Sequence, residues 1–200
     1  MILAIDTSTA ACTAALFDGA GRCIGRRDEL IGRGHAERLA PMLAELLDGR
    51  EAEEILVGVG PGSFTGLRVG IAAAHGLAIG WNARLHGLSS LALLAASAGA
   101  EGAVAAAMTG GHGELFVQEF GSDLLPASEL LNLPPALAAA QVSAELVAGP
   151  GAAALVEARG SGRVIDAWPS ASQVLRLSEP LRQLPPSPLY ARAPDAKAMA

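Results

Sequence analysis

The sequence predicts an α/β protein of two lobes, each built on a mixed sheet. Three observations lead there. Residues 2–30 hold three strand-like runs joined by tight turns, residues 35–98 alternate helix and strand, and from about residue 103 a second hairpin restarts the pattern. Lobes over 1–100 and 101–200 follow from that restart, the second ending in an extended Pro-rich tail. No short internal repeat accompanies it.

The elements follow in order. Residues 2–6 are a short apolar run closed by an acid, a buried strand; residues 11–17 are a second strand of small residues. Asp18-Gly19-Ala20-Gly21 is a turn, and residues 22–30 return as a third strand. Leu39, Met42, Leu43, Leu46 and Leu47 make one apolar stripe, so a helix is expected over 35–48, with Pro41 bending it or shifting its start. A buried strand over 54–59 leads through a glycine loop into a long helix over 65–82, then a strand near 84–88 and a helix near 89–98. In the second half, strands over 103–109 and 114–120 flank Gly110-Gly111-His112-Gly113 as a hairpin. Pro134 and Pro135 open a helix through about 141, residues 143–148 are a strand, and Gly149-Pro150-Gly151 opens another helix. Pro169 starts a short helix to about 177, and 180–188 is expected to be extended.

Composition narrows the function classes. Of 200 residues, 51% are hydrophobic and 17% charged, which suits a packed core rather than disorder. The core is one of small side chains, with 42 Ala, 24 Gly and 4% aromatics, and glycine without a three-residue period excludes collagen. The net charge is −6 and Lys197 is the only lysine, so the chain is a poor nucleic-acid binder by itself. The arginines between Arg22 and Arg38 are interleaved with Asp28, Glu29 and Glu37 and read as a solvated face. No run reaches the roughly 18 apolar residues of a membrane span, and no signal peptide is expected at the start. Cys12 and Cys23 read as buried thiols in a reducing cytoplasm, the expected location.

Candidate chemistry is sparse. Asp6-Thr7-Ser8 leaves a buried strand in a turn that could cradle phosphate, with the acid holding a metal; a polar strand end closed by its own side chains is the favoured reading of these residues alone. Gly60-Pro61-Gly62-Ser63-Phe64-Thr65-Gly66-Leu67-Arg68 lies between strand and helix, where free amides favour an anion. It lacks the P-loop spacing and lysine, and a well-capped helix start with no ligand is the alternative. Gly66, Gly70, Ala73, Leu77 and Gly80 share one stripe of the following helix, for internal packing or for a helical partner. The histidines, at 35, 75, 86 and 112, form no paired zinc motif, and no nucleophile elbow is present. No metal site is expected.

Ile2–Thr9, His35–Pro41, Gly60–Arg68 with Gly70, Leu88–Ala92 and Pro188–Arg192 together resemble the bacterial TsaB family, densely over residues 1–100. The resemblance implies a two-lobed actin/Hsp70/sugar-kinase-type (ribonuclease H-like) fold. It also implies a non-catalytic pseudoenzyme role in making threonylcarbamoyladenosine next to the anticodon of ANN-reading tRNAs. The implied partners are a TsaD-type transferase that does the chemistry, a TsaE-type ATPase, and a second copy of this chain. Contact with tRNA would be indirect, and there would be no membrane partner. No cofactor is expected to be held tightly by this chain alone, ATP or ADP sitting at the interface of the complex.

Under the resemblance, the pairing face would comprise Gly66, Gly70, Ala73 and Leu77, supported by Leu39, Leu43 and Leu46. A bulky residue at Gly70 should then leave a folded monomer that no longer pairs. Asp6, Thr7, Ser8, Gly60, Gly62, Ser63, Thr65 and Arg68 remain a phosphate or structural loop. The sequence departs from the family where Asp-Ala-Arg is common: here Thr109-Gly110-Gly111 carries no acid. A small ATP-dependent phosphotransferase using Asp6 and the glycine loop is the competing reading.

Overall fold

The structure, a computed structural model, describes residues 1–189. Five strands form the first sheet: β1 (Ile2–Asp6), β2 (Ala11–Phe17), β3 (Cys23–Leu30), β4 (Glu54–Gly60) and β5 (Arg84–Ser89), in spatial order β3-β2-β1-β4-β5. The meander β1–β2–β3 is antiparallel, Asp6 opposite Thr13 and Ile2 opposite Phe17, while β4 and β5 run parallel to β1. A central strand buried on both faces reads as a continuous apolar run, as β1, β2 and β4 do. Edge strand β3 instead carries the exposed charges of the arginine-rich stretch.

The second sheet consists of β6 (Val104–Thr109), β7 (Leu115–Phe120), β8 (Leu131–Leu133), β9 (Leu146–Ala148) and β10 (Arg163–Ile165), in order β10-β9-β6-β7-β8. Strands β6–β7–β8 are antiparallel, and β9 and β10 run parallel to β6. The two sheets therefore share one topology, strand for strand, although the sequence shows no repeat. This is the two-lobed α/β architecture of actin/Hsp70/sugar-kinase type that the resemblance implies.

Helices cover the sheets. α1 (His35–Leu47) and α2 (Phe64–Trp81) lie on one face of the first sheet, where Leu39, Met42, Leu43, Leu46 and Leu47 join Leu3, Ile5, Leu16 and Ile55 in a common core. α1 runs unbroken through Pro41, whose ring sits on the exposed side. α3 (Ser90–Ser97) is apolar all round, and every residue from Ser90 to Ala96 is buried. Its core cluster draws on both sheets, including Leu56 of one and Met108 and Phe120 of the other. α4 (Pro135–Ala139) and α5 (Ala152–Arg159) cover the far face of the second sheet. No helix among the described residues is long and apolar enough to cross a membrane.

Residues 171–189 leave the second sheet and return to the first. Ala171–Arg176 form a 3₁₀ turn held by Ala171 N–H donating to Thr13 Oγ1 at 2.8 Å and Ser170 N–H to Ser97 Oγ at 3.0 Å. α6 (Glu179–Arg182) makes a helical turn where an extended chain is expected. Its Pro180 is admitted because a first-turn position needs no amide donor. Leu184 then exchanges two hydrogen bonds with Gly87, closing the β5 edge. The Tyr190–Arg192 part of the tail resemblance lies outside the described residues.

One expectation about the thiols is corrected. Cys12 is buried beside Met42, and burial pushes its thiol up to about 11, but Cys23 is exposed on edge strand β3. A thiol reagent at neutral pH should therefore modify one cysteine rapidly and the second only on unfolding. A thiol titration with peptide mapping checks this, and rapid labelling of Cys12 would contradict it.

Candidate functional site

A cleft of about 750 Å³ opens between the lobes. Its first-lobe wall is the turn after β1 (Ser8, Thr9, Ala10) and the glycine loop (Gly62, Ser63, Phe64, Leu67, Arg68). Its second-lobe wall comes from the β6–β7 hairpin, with Met108, Thr109, His112, Glu114 and Phe116, together with Asn132 and Pro150. Trp168, between β10 and the 3₁₀ turn, and Leu189, at the end of the returning segment, complete it.

Asp6 does not face this cleft. It is 0% exposed, and its Oδ1 accepts from the Ser8 amide at 2.9 Å and the Ser8 hydroxyl at 2.6 Å. Its Oδ2 accepts from the Ser90 hydroxyl at 2.7 Å, and Ser90 Oγ also accepts from Gly60 N–H at 3.3 Å. Burial holds the carboxyl above its usual value, against the opposing pull of those hydrogen bonds. A Cβ at Gly58 would overlap Asp6 Oδ2, so glycine makes room for the acid. The acid thus ties the β1 turn, the β4 end and the start of α3 together. Among the described residues no three His, Cys, Asp or Glu gather as metal ligands.

The glycine loop is fastened to the same turn. Ser63 N–H donates to Ser8 O at 2.7 Å, and a Cβ at Gly62 would overlap that same carbonyl oxygen. Ser63 Oγ caps α2 by accepting from Gly66 N–H at 3.2 Å. Two amides that an anion would use, Ser63 and Gly66, are thus committed within the chain. Arg68 stacks its guanidinium 3.6 Å above the Phe64 ring, while Thr65 is exposed beside them and does not line the cleft. The Gly149–Gly151 turn is also explained internally: Gly151 N–H donates to Ala107 O at 2.9 Å, and side chains at either glycine would press on β6.

The residues expected on a pairing face divide. Leu39, Leu43 and Leu46 are 1%, 5% and 3% exposed and belong to the chain's own core. Gly66 and Gly70 are buried against Thr7: a Cβ on Gly66 would overlap the Thr7 carbonyl oxygen, and one on Gly70 the Thr7 hydroxyl, which itself donates to Gly66 O at 2.7 Å. These five point inward, and a bulky residue at Gly70 would disturb the fold rather than leave a folded monomer. Ala73 and Leu77 are half-buried, and beyond them Gly76 and Gly80 face open space and Ile79 is 82% exposed. The sequence reading missed Met108, Asn132, Pro150, Trp168 and Leu189 as cleft residues. The hairpin centre at Gly110–Gly113 was the available signal, since it sets Met108 opposite Phe116.

The family model described as TsaD, tRNA N6-adenosine threonylcarbamoyltransferase, matches residues 27–153. The tRNA threonylcarbamoyladenosine biosynthesis protein TsaB of Escherichia coli (strain K12) is 39% identical over 131 residues, 61% of this chain and 55% of that protein. The Haemophilus influenzae protein of the same name is 40% identical over 103 residues, 48% of this chain and 42% of its own length. The chain thus spans about half the length of the curated relatives it matches. Among solved structures, YeaZ from Pseudomonas aeruginosa superposes with a TM-score of 0.74 at 33% identity, covering 88% of each chain. A second Pseudomonas aeruginosa structure, described as similar to peptidase YeaZ, gives 0.78 at 32% identity over 96% of this chain and 99% of that one. Likeness at that identity along nearly the whole of both chains, with the glycine loop seated on the β1 turn, places this chain in the TsaB family.

Proposed function

We propose that this chain is a non-catalytic subunit of tRNA threonylcarbamoyladenosine biosynthesis. It pairs with a TsaD-type transferase that modifies the adenosine next to the anticodon of ANN-reading tRNAs, and a TsaE-type ATPase joins the pair in the cytoplasm. The observation that carries this is the 39% identity to the E. coli protein TsaB together with the end-to-end likeness to YeaZ. The placement of Asp6 supports a non-catalytic role, because both its oxygens accept hydrogen bonds from Ser8 and Ser90 behind the turn. ATP or ADP would belong to the interface of the complex, and tRNA contact would be indirect.

The pairing face we assign is the outer side of α1 and α2. There Ala40 and Ala44 on one helix and Ile79 on the other present small and aliphatic side chains to solvent, while Ala73 and Leu77 are half-buried against the first-sheet core. The same face would serve a homodimer, so the two assemblies compete. Ile79→Glu should leave the circular dichroism unchanged and weaken pairing at least about tenfold, because a charge would be buried without a partner. Undiminished co-elution with the transferase on size exclusion would reject this face. For the function itself, threonylcarbamoyl transfer should be reconstituted from transferase, ATPase and tRNA with and without this chain. Transfer is expected only with it, and equal transfer without it would overturn the reading.

A further inference from the structure

We propose that the free edge of β3 pairs with the same edge of a second copy of this chain, antiparallel and centred on Arg27. Among the described residues no strand lies on the outer side of β3. Charges of a single sign would keep such an edge from pairing. β3 instead carries opposite signs placed symmetrically about Arg27, with Arg26 before it and Asp28 after. Two exposed aliphatic side chains stand beyond them, Ile24 at 43% and Leu30 at 63%. A copy turned about Arg27 sets each Arg26 opposite the other's Asp28 and each Ile24 beside the other's Leu30. Moving the axis to Arg26 or to Asp28 would oppose like charges, so the pattern selects one register.

The backbone permits that register. Ile31 N–H donates to Ala10 O at 3.0 Å, and Ala11 stands opposite Leu30. Hydrogen-bonded pairs alternate along an antiparallel ladder, so Glu29 and Arg27 bond to β2 while Leu30, Asp28 and Arg26 turn their amides and carbonyls outward. Arg26 of one copy and Asp28 of the other then exchange those groups, and the two Arg27 residues meet as a non-hydrogen-bonded pair. The Arg26 carbonyl accepts from Arg27 Nη1 at 3.0 Å, a surface bond that the other copy's amide replaces. The side chains suit the exchange. Ser170 Oγ donates to both Asp28 oxygens at 3.0 Å and fixes the acid, whereas the Arg26 side chain is 67% exposed and its Nε reaches that acid only at 4.0 Å. Glu45, 3.9 Å from Arg27 Nε, offsets the meeting of the two Arg27 side chains. The bulge between Gly25 and Cys23 ends the ladder at Ile24.

Cysteine cross-linking reads this out on the full chain carrying Cys23→Ser. The paired Arg27 Cα atoms would stand about 4.5 Å apart, within reach of a disulfide, so Arg27→Cys should give an oxidised dimer. Leu30→Cys is the control at an open position, where the two copies are about 20 Å apart. It should cross-link at least about tenfold more slowly. Arg26→Glu, which sets a negative charge against Asp28, should slow the Arg27→Cys reaction by a similar factor, while Ile79→Glu on α2 should leave it unchanged. Equal rates for the two cysteines would mean random collision and would overturn the proposal. So would cross-linking that survives Arg26→Glu, or that is lost with Ile79→Glu and so belongs to the helices. Sedimentation of the Ile79→Glu chain gives a readout with no cysteine changed: a monomer–dimer equilibrium is expected, and a monomer at every concentration would overturn the pairing.

Discussion

Gly66→Ala should lower the stability of the fold by about 3 kcal/mol, and Gly66→Val should prevent folding. The added Cβ would occupy the place of the Thr7 carbonyl oxygen. That oxygen is main chain in the turn leaving β1, and Gly66 is main chain in the first turn of α2, so relief requires moving a strand end or a helix. At Gly70 the obstructing atom is the Thr7 hydroxyl, which can rotate, so Gly70→Ala should cost less, about 1–2 kcal/mol. The same helix supplies the control. Nothing lies within 4 Å of a Cβ at Gly76 or Gly80, and alanine is the better helix former by about 1 kcal/mol, so alanine at either should stabilise. Urea unfolding of the four variants checks the ordering. A midpoint for Gly66→Ala at or above the parent's would show that α2 does not press on the β1 turn.

That contrast shows what the sequence could and could not tell. The stripe from Gly66 through Gly80 is legible as a line of small residues, but its spacing carries no information on what faces it. Only its first half lies on the β1 turn and β4; the second half runs out into solvent. Likewise the leucine stripe of α1 locates a helix, and burial then spends those leucines on the first sheet rather than on a partner.

Strands β1 and β2 are readable to the residue, since an apolar run bounded by Asp6 and by the Asp18 turn leaves little choice of register. β8 and β10 were missed because three residues have no period of their own, and each exists by pairing with its neighbour. The second-lobe wall of the cleft was hidden for a related reason. Met108, Phe116 and Asn132 are scattered in sequence and become one row only through sheet pairing. The shared topology of the two sheets is invisible for the same cause: it lies in strand order, which the side chains do not repeat.

Asp6→Ala is expected to cost about 3–5 kcal/mol, while Asp6→Asn should fold nearly normally. Alanine strands three donors, the Ser8 amide, the Ser8 hydroxyl and the Ser90 hydroxyl, at a position with 0% exposure. Asparagine keeps a carbonyl oxygen for Ser8 and turns its amide toward Ser90 Oγ, which can accept. The acid and the amide differ in charge, and that fixes a pH signature. Burial raises the folded carboxyl above 3.8, its usual value, so the folded state holds the proton more tightly than the unfolded chain does. The stabilising contribution is complete below 3.8 and is lost as pH rises through the folded value. The stability of the parent relative to Asp6→Asn should therefore be greatest in acid and shrink toward neutrality. A difference that stays constant or grows with pH would refute the assignment. The same variant bears on the function. If Asp6→Asn folds and still supports threonylcarbamoyl transfer in the reconstituted system, the acid is a tie between elements. If it folds and transfer fails while pairing persists, Asp6 does chemistry and the non-catalytic reading falls.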